Sequence, residues 1–419
     1  MSHYISFLIV FVSLLFISAC EKKEVKNETL KIAAIEPLSG PYAAVGQDLV
    51  EQLTFYADLV NSNGGLKDGR NIEIIALDNA MKAEKTTELL RKSIDEGIRF
   101  ITQGAGSNHA LNIIKQLEKY NSRNPGKEVL FLNHSAVTTT FTNELCTFYH
   151  FRFDANVDMK VAALVTQLSK DQDIKKVYLI NQNYAYGQSF QKAAKKFLKE
   201  RAPNIEIVGD ELIQPFGKVQ DFNPYVTKIK VSEADAILTG NWGPDAYRLV
   251  NSLADSGIKS KIYGVYVALP TGMPVMGEKA VYNPIIQVKE THENDNDTPD
   301  WLKKINDLHL EQTTMSMDTD RFRFMMEMFA EATKISNSFE PKDIALALEG
   351  MKGRGAHGEV LMRKQDHQIH FDIVAGLVSN KVEKPIQYRG ENFGMAYSTV
   401  GKISKEDVTL ETTCEMKRP

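Results

Sequence analysis

Strand and helix signals alternate at regular spacing in two consecutive series, and that rhythm restricts the chain more than any other feature of it. The first series opens with the apolar run 30–35, which ends at Pro37 and is followed by Leu38-Ser39-Gly40-Pro41. Residues 47–63 then carry Leu49, Leu53, Tyr56 and Val60 at helical spacing, and Asn63-Gly64-Gly65 stops that helix. Strand 72–77, helix 83–96, strand 99–102, helix 107–120 and strand 129–132 continue the pattern. After a pivot at 151–156 it resumes as helix 157–169, strand 176–180, helix 188–200, strand 205–208, helix 222–231, strand 236–238, helix 244–256 and strand 261–265. Short buried strands separated by helices of this length predict parallel sheets covered by helices on both faces, so the fold class is α/β with two doubly wound, Rossmann-like lobes.

Beyond 292–299, an acidic solvated loop, the chain is expected to be helical over 300–309, 318–336 and 341–351. Phe322, Met325, Met326 and Phe329 recur at helical spacing and read as core packing. Alternation at 359–363 and 369–374 predicts an antiparallel hairpin across 365–367. Fifty Lys and Arg against 54 Asp and Glu give a net charge of −4, so there is no basic field to drive nucleic-acid binding.

Residues 4–19 are almost entirely apolar and uncharged, shorter than the ~20 residues that span a bilayer, and lead into the charged run Glu21-Lys22-Lys23-Glu24. Residues 1–19 therefore read as an export signal and 20–29 as a tether. Leu15-Phe16-Ile17-Ser18-Ala19-Cys20 resembles a bacterial lipobox, which implies lipidation of Cys20 and attachment to the membrane by lipid alone, although Met1-Ser2-His3 lacks the usual basic residue. A signal cut elsewhere and an uncleaved anchor are the alternatives. Cys146 and Cys414 then remain as an even pair in an oxidising compartment, where a disulfide between them is favoured over two unrelated buried thiols.

Catalytic and cofactor motifs are missing at the places where such a sheet would carry them. Gly104-Ala105-Gly106-Ser107-Asn108-His109 has the context of a dinucleotide fingerprint, but His109 occupies the third glycine position. There is no phosphate loop, no His-Glu-x-x-His, no Cys-x-x-Cys and no Gly-x-Ser-x-Gly elbow, so no cofactor and no metal are expected. The remaining enzymatic reading is a hydrolase using Ser107 with His109 or His134. The turn at Gly104, Gly106 and Ser107 does present helix N-terminal N–H groups to an anion, and a carboxylate suits it; the bland alternative is that Ser107 only caps its helix.

Several of these segments together bear a family likeness. Residues 30–42 ending in Ser39-Gly40-Pro41-Tyr42, then Gly46, Asn61-Ser-Asn-Gly64-Gly65-Leu66, Asp78 and Tyr184-Ala185-Tyr186-Gly187 resemble the type 1 periplasmic binding proteins of the leucine/isoleucine/valine class. The resemblance implies two lobes joined by three crossovers that close on a ligand: residues 30–151 plus 289–356, and 152–288 plus 357–419 with the C-terminal tail. It implies a monomeric, non-enzymatic receptor that captures a small molecule and delivers it to an ABC permease with its ATPase. A ligand-sensing module for a signalling receptor is the competing role. It further implies that Ser107, Ser135, Ala136 and Val137, with Thr138 by a one-residue shift, hold a ligand carboxylate. Tyr186 would close over the ligand, Trp242 would wall the pocket and Tyr42 would line its side-chain end. The departure is Tyr266, which stands where amino-acid binders carry an acid for the ligand ammonium. Asp245, beside Trp242, is the alternative carboxylate for that role, although it reads first as the N-terminal charge of the following helix. A buried ammonium without a carboxylate is costly, so the expected ligand is an amide, an aromatic acid or a modified amino acid.

Overall fold

The computed structural model describes residues 29–292, 297–317 and 319–419. The export signal, Cys20 and nearly all of the tether lie outside the described residues. The first lobe is built on β1 (Leu30–Glu36), β2 (Ile72–Asp78), β3 (Phe100–Gln103), β4 (Leu130–Asn133) and β5 (His150–Arg152). These strands are parallel and lie in the order β2-β1-β3-β4-β5. Helices α1 (Ala43–Ser62), α2 (Ala83–Asp95) and α3 (Ser107–Arg123) connect them. β3 and β4 are buried at every position, which is why they read as unbroken apolar runs and not as alternation.

The second lobe contains α4 (Val157–Leu168), β6 (Lys176–Gln182), α5 (Ala185–Arg201), β7 (Glu206–Ile213), α6 (Asn223–Ser232), β8 (Ala236–Thr239), α7 (Pro244–Asp255), β9 (Lys261–Gly264), the short α8 (Met273–Met276) and β10 (Ile285–Lys289). α4 begins where the Asn156 side chain accepts a hydrogen bond from the N–H of Met159, an N-cap bond. The chain then returns to the first lobe as α9 (Asp300–Thr313), α10 (Arg321–Ile335) and α11 (Pro341–Leu348). Phe329 of α10 packs edge-on against Phe100 of β3, with ring centroids 5.1 Å apart.

The expected hairpin at 359–374 is divided between two sheets. β11 (Lys352–Gly355), β12 (Gly358–Met362) and β13 (Ile369–His370) form a small antiparallel sheet of their own. β14 (Ile373–Ser379) leaves it to pair antiparallel with β10, and after the small hairpin β15 (Gln387–Tyr388) and β16 (Glu391–Asn392), β17 (Ala396–Ile403) pairs with β14. The second sheet thus has the order β17-β14-β10-β9-β8-β6-β7. Alternation is a local property, and it does not say which sheet a strand joins.

The chain passes between the lobes after β5, after β10 and after β13. At this seam the first and third passages lie side by side: Arg152 pairs with Gln368 in a parallel bridge, and its Nε donates to Gln368 Oε1 at 2.7 Å. After α12 (Lys405–Val408) the tail runs back to the first lobe, where Cys414 is disulfide-bonded to Cys146 over a sequence separation of 268. Closing so long a loop is worth roughly 5 kcal/mol in the chain-entropy account.

Candidate functional site

Both sheets have a switch point, where strand order reverses and the carboxyl ends of adjacent strands diverge: β1/β3 in the first lobe and β6/β8 in the second. Ligands of open α/β sheets bind in such crevices. Here the two crevices face one another across a cleft lined from both lobes.

The first-lobe wall is polar. Glu36, at the end of β1, is buried and accepts hydrogen bonds from the N–H groups of Gly104 (2.7 Å) and Ala105 (3.1 Å), pinning the loop that follows β3. His134 Nε2 lies 2.9 Å from Glu36 Oε1, and His134 Nδ1 lies 2.8 Å from Ser135 Oγ. A Cβ on Gly104 would stand 2.3 Å from the His134 ring, so this approach requires glycine. Ser135 Oγ in turn accepts from Arg321 Nε at 2.9 Å. Gly106 is the N-cap of α3, and no side chain caps that helix; Ser107 occupies its first turn and lines the cleft. The capping role expected as the alternative for Ser107 is therefore not the one it plays. His109 Nδ1 is bonded to Thr86 at 2.9 Å and His134 to Ser135 and Glu36, so each histidine considered as a base for Ser107 has another partner.

The second-lobe wall is aromatic. Tyr184, Tyr186, Trp242, Tyr266 and Leu269 line it. Trp242 Nε1 donates to Tyr184 Oη at 2.6 Å, Tyr184 stacks on Phe216 at 4.3 Å, and the rings of Tyr186 and Tyr266 stand 6.1 Å apart. Tyr266 donates its hydroxyl hydrogen to Asp154 Oδ2 at 2.8 Å. Burial first, and the Asp154 charge second, push the Tyr266 phenol well above its ordinary value, so it keeps that hydrogen.

Of the residues singled out from the sequence, Ser107, Ser135, Val137, Tyr186, Trp242 and Tyr266 converge on the cleft. Tyr42 crosses from the first lobe and packs behind Trp242, with centroids 4.7 Å apart, against Gly243, whose Cβ would lie 2.8 Å from the Tyr42 ring. Ala136 packs into the first-lobe core. Thr138 contributes its carbonyl to Arg152 Nη1 at 2.7 Å. Asp245 is buried behind the aromatic wall, accepting from Gln182 Nε2 and the N–H of Gly217, each at 2.9 Å.

Sequence reasoning missed Val45, Asp48, Leu49, Tyr184, Leu269 and Arg321, all of which line the cleft. Arg321 offered a signal: a cation in the first turn of a helix opposes the helix dipole and calls for a carboxylate partner. It has one in Glu290, 3.3 Å from Nη1, and lies 3.9 Å from Asp154, which also pairs with Lys160 at 2.7 Å. Burial raises the Glu290 carboxyl, but Arg321 and Lys160 outweigh it and hold it at about 2. Asp154 and Glu290 sit in the first and second passages between lobes, so Arg321 joins the cleft to both. Among the described residues no group of three or more His, Cys, Asp or Glu is placed to hold a metal ion, and no helix is long and apolar enough to cross a membrane.

Two α/β lobes with facing switch points and an enclosed cleft between them define a solute-binding architecture. Residues 29–381 match the family model of the periplasmic binding proteins, and the chain belongs to that family. It is 32% identical over 402 residues to the Leu/Ile/Val-binding protein homolog 4 of Brucella melitensis, covering 94% of each chain. The crystal structure of the leucine-, isoleucine-, valine-, threonine- and alanine-binding protein of Brucella ovis, in its closed conformation, superposes with a TM-score of 0.83 at 28% identity, covering 94% of this chain and 100% of that one. A solute-binding protein of an ABC transporter from R. palustris, in complex with 4-hydroxybenzoate, has a TM-score of 0.75 at 18% identity, covering 90% and 97%. The expected α/β fold with two doubly wound lobes is thereby established, as is the family.

Proposed function

We propose that this protein is the extracytoplasmic solute-binding component of an ABC importer, capturing a small amino-acid-like, amide or aromatic carboxylate between its closing lobes and presenting it to the permease and its ATPase. The observation that carries the reading is the pairing of unlike walls across one cleft: hydroxyls and helix N-terminal N–H groups on one side, tyrosine and tryptophan rings on the other. Ser107 and the α3 N-terminus hold the carboxylate; Tyr186, Trp242 and Tyr266 cover it. The protein works without covalent chemistry, because contacts made from both lobes favour the closed state over the open one. The names of the Leu/Ile/Val-binding relatives and of the 4-hydroxybenzoate-bound neighbour support that range of ligands.

The moving bodies in this proposal are residues 30–151 with 289–356, and 152–288 with 357–419, the small sheet of β11–β13 lying at their seam. Cys20 carries the lipid that holds a monomer at the membrane surface. The test is a thermal-shift screen of residues 21–419, with Cys146 and Cys414 oxidised, against amino acids, amides and small aromatic acids. A ligand present at 100 times its Kd adds about 2.7 kcal/mol to stability. A raised Tm with one of these classes is the expected result, and no shift with any of them counts against the proposal.

A further inference from the structure

Between β14 and β17 of the second lobe the chain makes an excursion, residues 380–395, whose far end lies on the first lobe. Its two legs are rooted in the second-lobe core. Ile386 and Met395 are buried there, Val382 and Phe393 pack against the same cluster, and the Ile386 N–H donates to the Met395 carbonyl at 2.7 Å. Its tip is the hairpin of β15 and β16, which turns through Arg389 and Gly390, both at positive φ (51° and 80°). A two-residue turn of this kind favours asparagine or glycine at its first position, so arginine is held there at a conformational cost.

What the tip touches belongs to the first lobe. The Ser316 N–H donates to the Gln387 carbonyl at 2.8 Å, the Gln387 N–H donates to Ser316 Oγ at 2.9 Å, and the Gly390 N–H donates to the Thr314 carbonyl at 2.9 Å. Arg389 Nη2 donates to Gln47 Oε1 of α1 at 2.8 Å. Residues 314–316 are fixed to the first lobe through His309 of α9, whose Nδ1 lies 2.9 Å from the Met315 carbonyl oxygen and whose ring meets Phe55 of α1 edge-on at 4.9 Å. α1 in turn packs against β2, the edge strand opposite β5, and the first crossover leaves from β5. The grip is thus made away from that crossover, where rotation of one lobe against the other pulls its two halves apart.

We propose that residues 380–395 are a clasp: rooted in the second lobe and hooked on α1 and 314–316 of the first, they hold the lobes together without touching the ligand and set how long a captured solute stays. The inference rests on the solute-capture reading and goes beyond it, because part of the preference for the closed state then comes from outside the cleft. Gln47, Ser316, Gln387 and Arg389 do not line the cleft, whereas Val45, Asp48 and Leu49 of the hooked helix do. A contact that favours the closed state by a fixed amount strengthens the binding of every ligand by the same factor.

The test uses two substitutions outside the cleft, made in residues 21–419 with Cys146 and Cys414 oxidised. Arg389→Asn removes the guanidinium and suits the turn, so the hairpin itself is kept. Ser316→Ala removes the hydroxyl that accepts from the Gln387 N–H. In titration calorimetry with the protein amino acids and 4-hydroxybenzoate, each substitution should weaken every probe that the wild type binds about threefold to tenfold, by the same factor from probe to probe, and the loss should appear as faster dissociation in stopped flow. In the wild type a bound probe should also slow hydrogen exchange in the peptides carrying Ser316 and Gly390, which a hairpin packed for local stability alone does not require. Wild-type affinity in both variants, a factor that changes with the probe, or exchange that the probe leaves unaltered would overturn the clasp and leave solute capture standing. A wild-type protein that binds none of the probes would count against both.

Discussion

The two walls of the cleft are made by the same topological device and from opposite chemistry. In the first lobe the loops after β1, β3 and β4 are drawn together by polar atoms: Glu36 holds Gly104 and Ala105, His134 joins Glu36 to Ser135, and Arg321 reaches in from α10. In the second lobe the loops after β6, β8 and β9 meet through rings, with Tyr184, Tyr186, Trp242 and Tyr266 in contact or near contact. A hydrogen-bonded wall is directional and orients a ligand; an aromatic wall is adaptable and excludes water. The difference assigns orientation to the first lobe and coverage to the second, and each side can be broken separately.

The largest effect is expected on the aromatic side. Trp242 is buried between Tyr42 and Tyr184, so Trp242→Ala removes a ring that joins the lobes and should lower stability by about 3 kcal/mol, read as a Tm loss of several degrees in calorimetry, with ligand affinity lost alongside. On the polar side Ser107→Ala should separate the two quantities. It removes a hydroxyl that caps nothing, so the ligand-free Tm stays within about 0.5 kcal/mol of wild type while affinity for a carboxylate ligand, measured by titration, falls about tenfold. An unchanged affinity would move orientation away from the first lobe.

A pH series acts through buried histidines that do not line the cleft. His292 is held at about 3, and His309 and His370 at about 4, chiefly by burial, against an ordinary value of 6.5. Their folded-state values are depressed, so the stability they contribute is complete above pH 6.5 and is lost as the pH falls toward 4 and then 3. Glu290, at about 2 against 4.5, adds a loss in the same direction below pH 4.5. The Tm should therefore be level above pH 7 and fall steadily below about pH 6. The smallest effect belongs to Tyr42→Phe. Its hydroxyl meets a 3.5 Å contact from Gln182 Nε2, whereas its ring packs at a tilt against Phe216 and Trp242, so the change should cost about 0.5 kcal/mol or less by chemical denaturation. A larger loss would give the hydroxyl a part that the ring alone does not explain.

The fold was readable wherever burial wrote itself into local pattern. β3, β4 and β8 are buried at every position and stood out as apolar runs, and α1 showed its face through Leu49, Leu53, Tyr56 and Val60. β7 was read only as far as 208 because it is a half-exposed edge strand whose residues 209–213 mix glycine, acids and apolar groups. The divided hairpin was unreadable for a different reason, since pairing of β14 with β10 joins residues that are distant in sequence. The cleft follows the same rule. Ser107 is announced by its glycine-rich turn, and the aromatic wall by family likeness. Arg321 and Asp154 come together only when the second crossover and α10 fold back on the first, and no local spacing encodes that.

The most direct test of two unlike walls closing on one solute is the crystal structure of the complex with the compound that raises Tm most. The account predicts the ligand in this cleft, its carboxylate at Ser107 and the N-terminus of α3, its body under Tyr186 and Trp242, and both lobes in contact with it. A ligand held by one lobe alone, or bound outside the cleft, would contradict it.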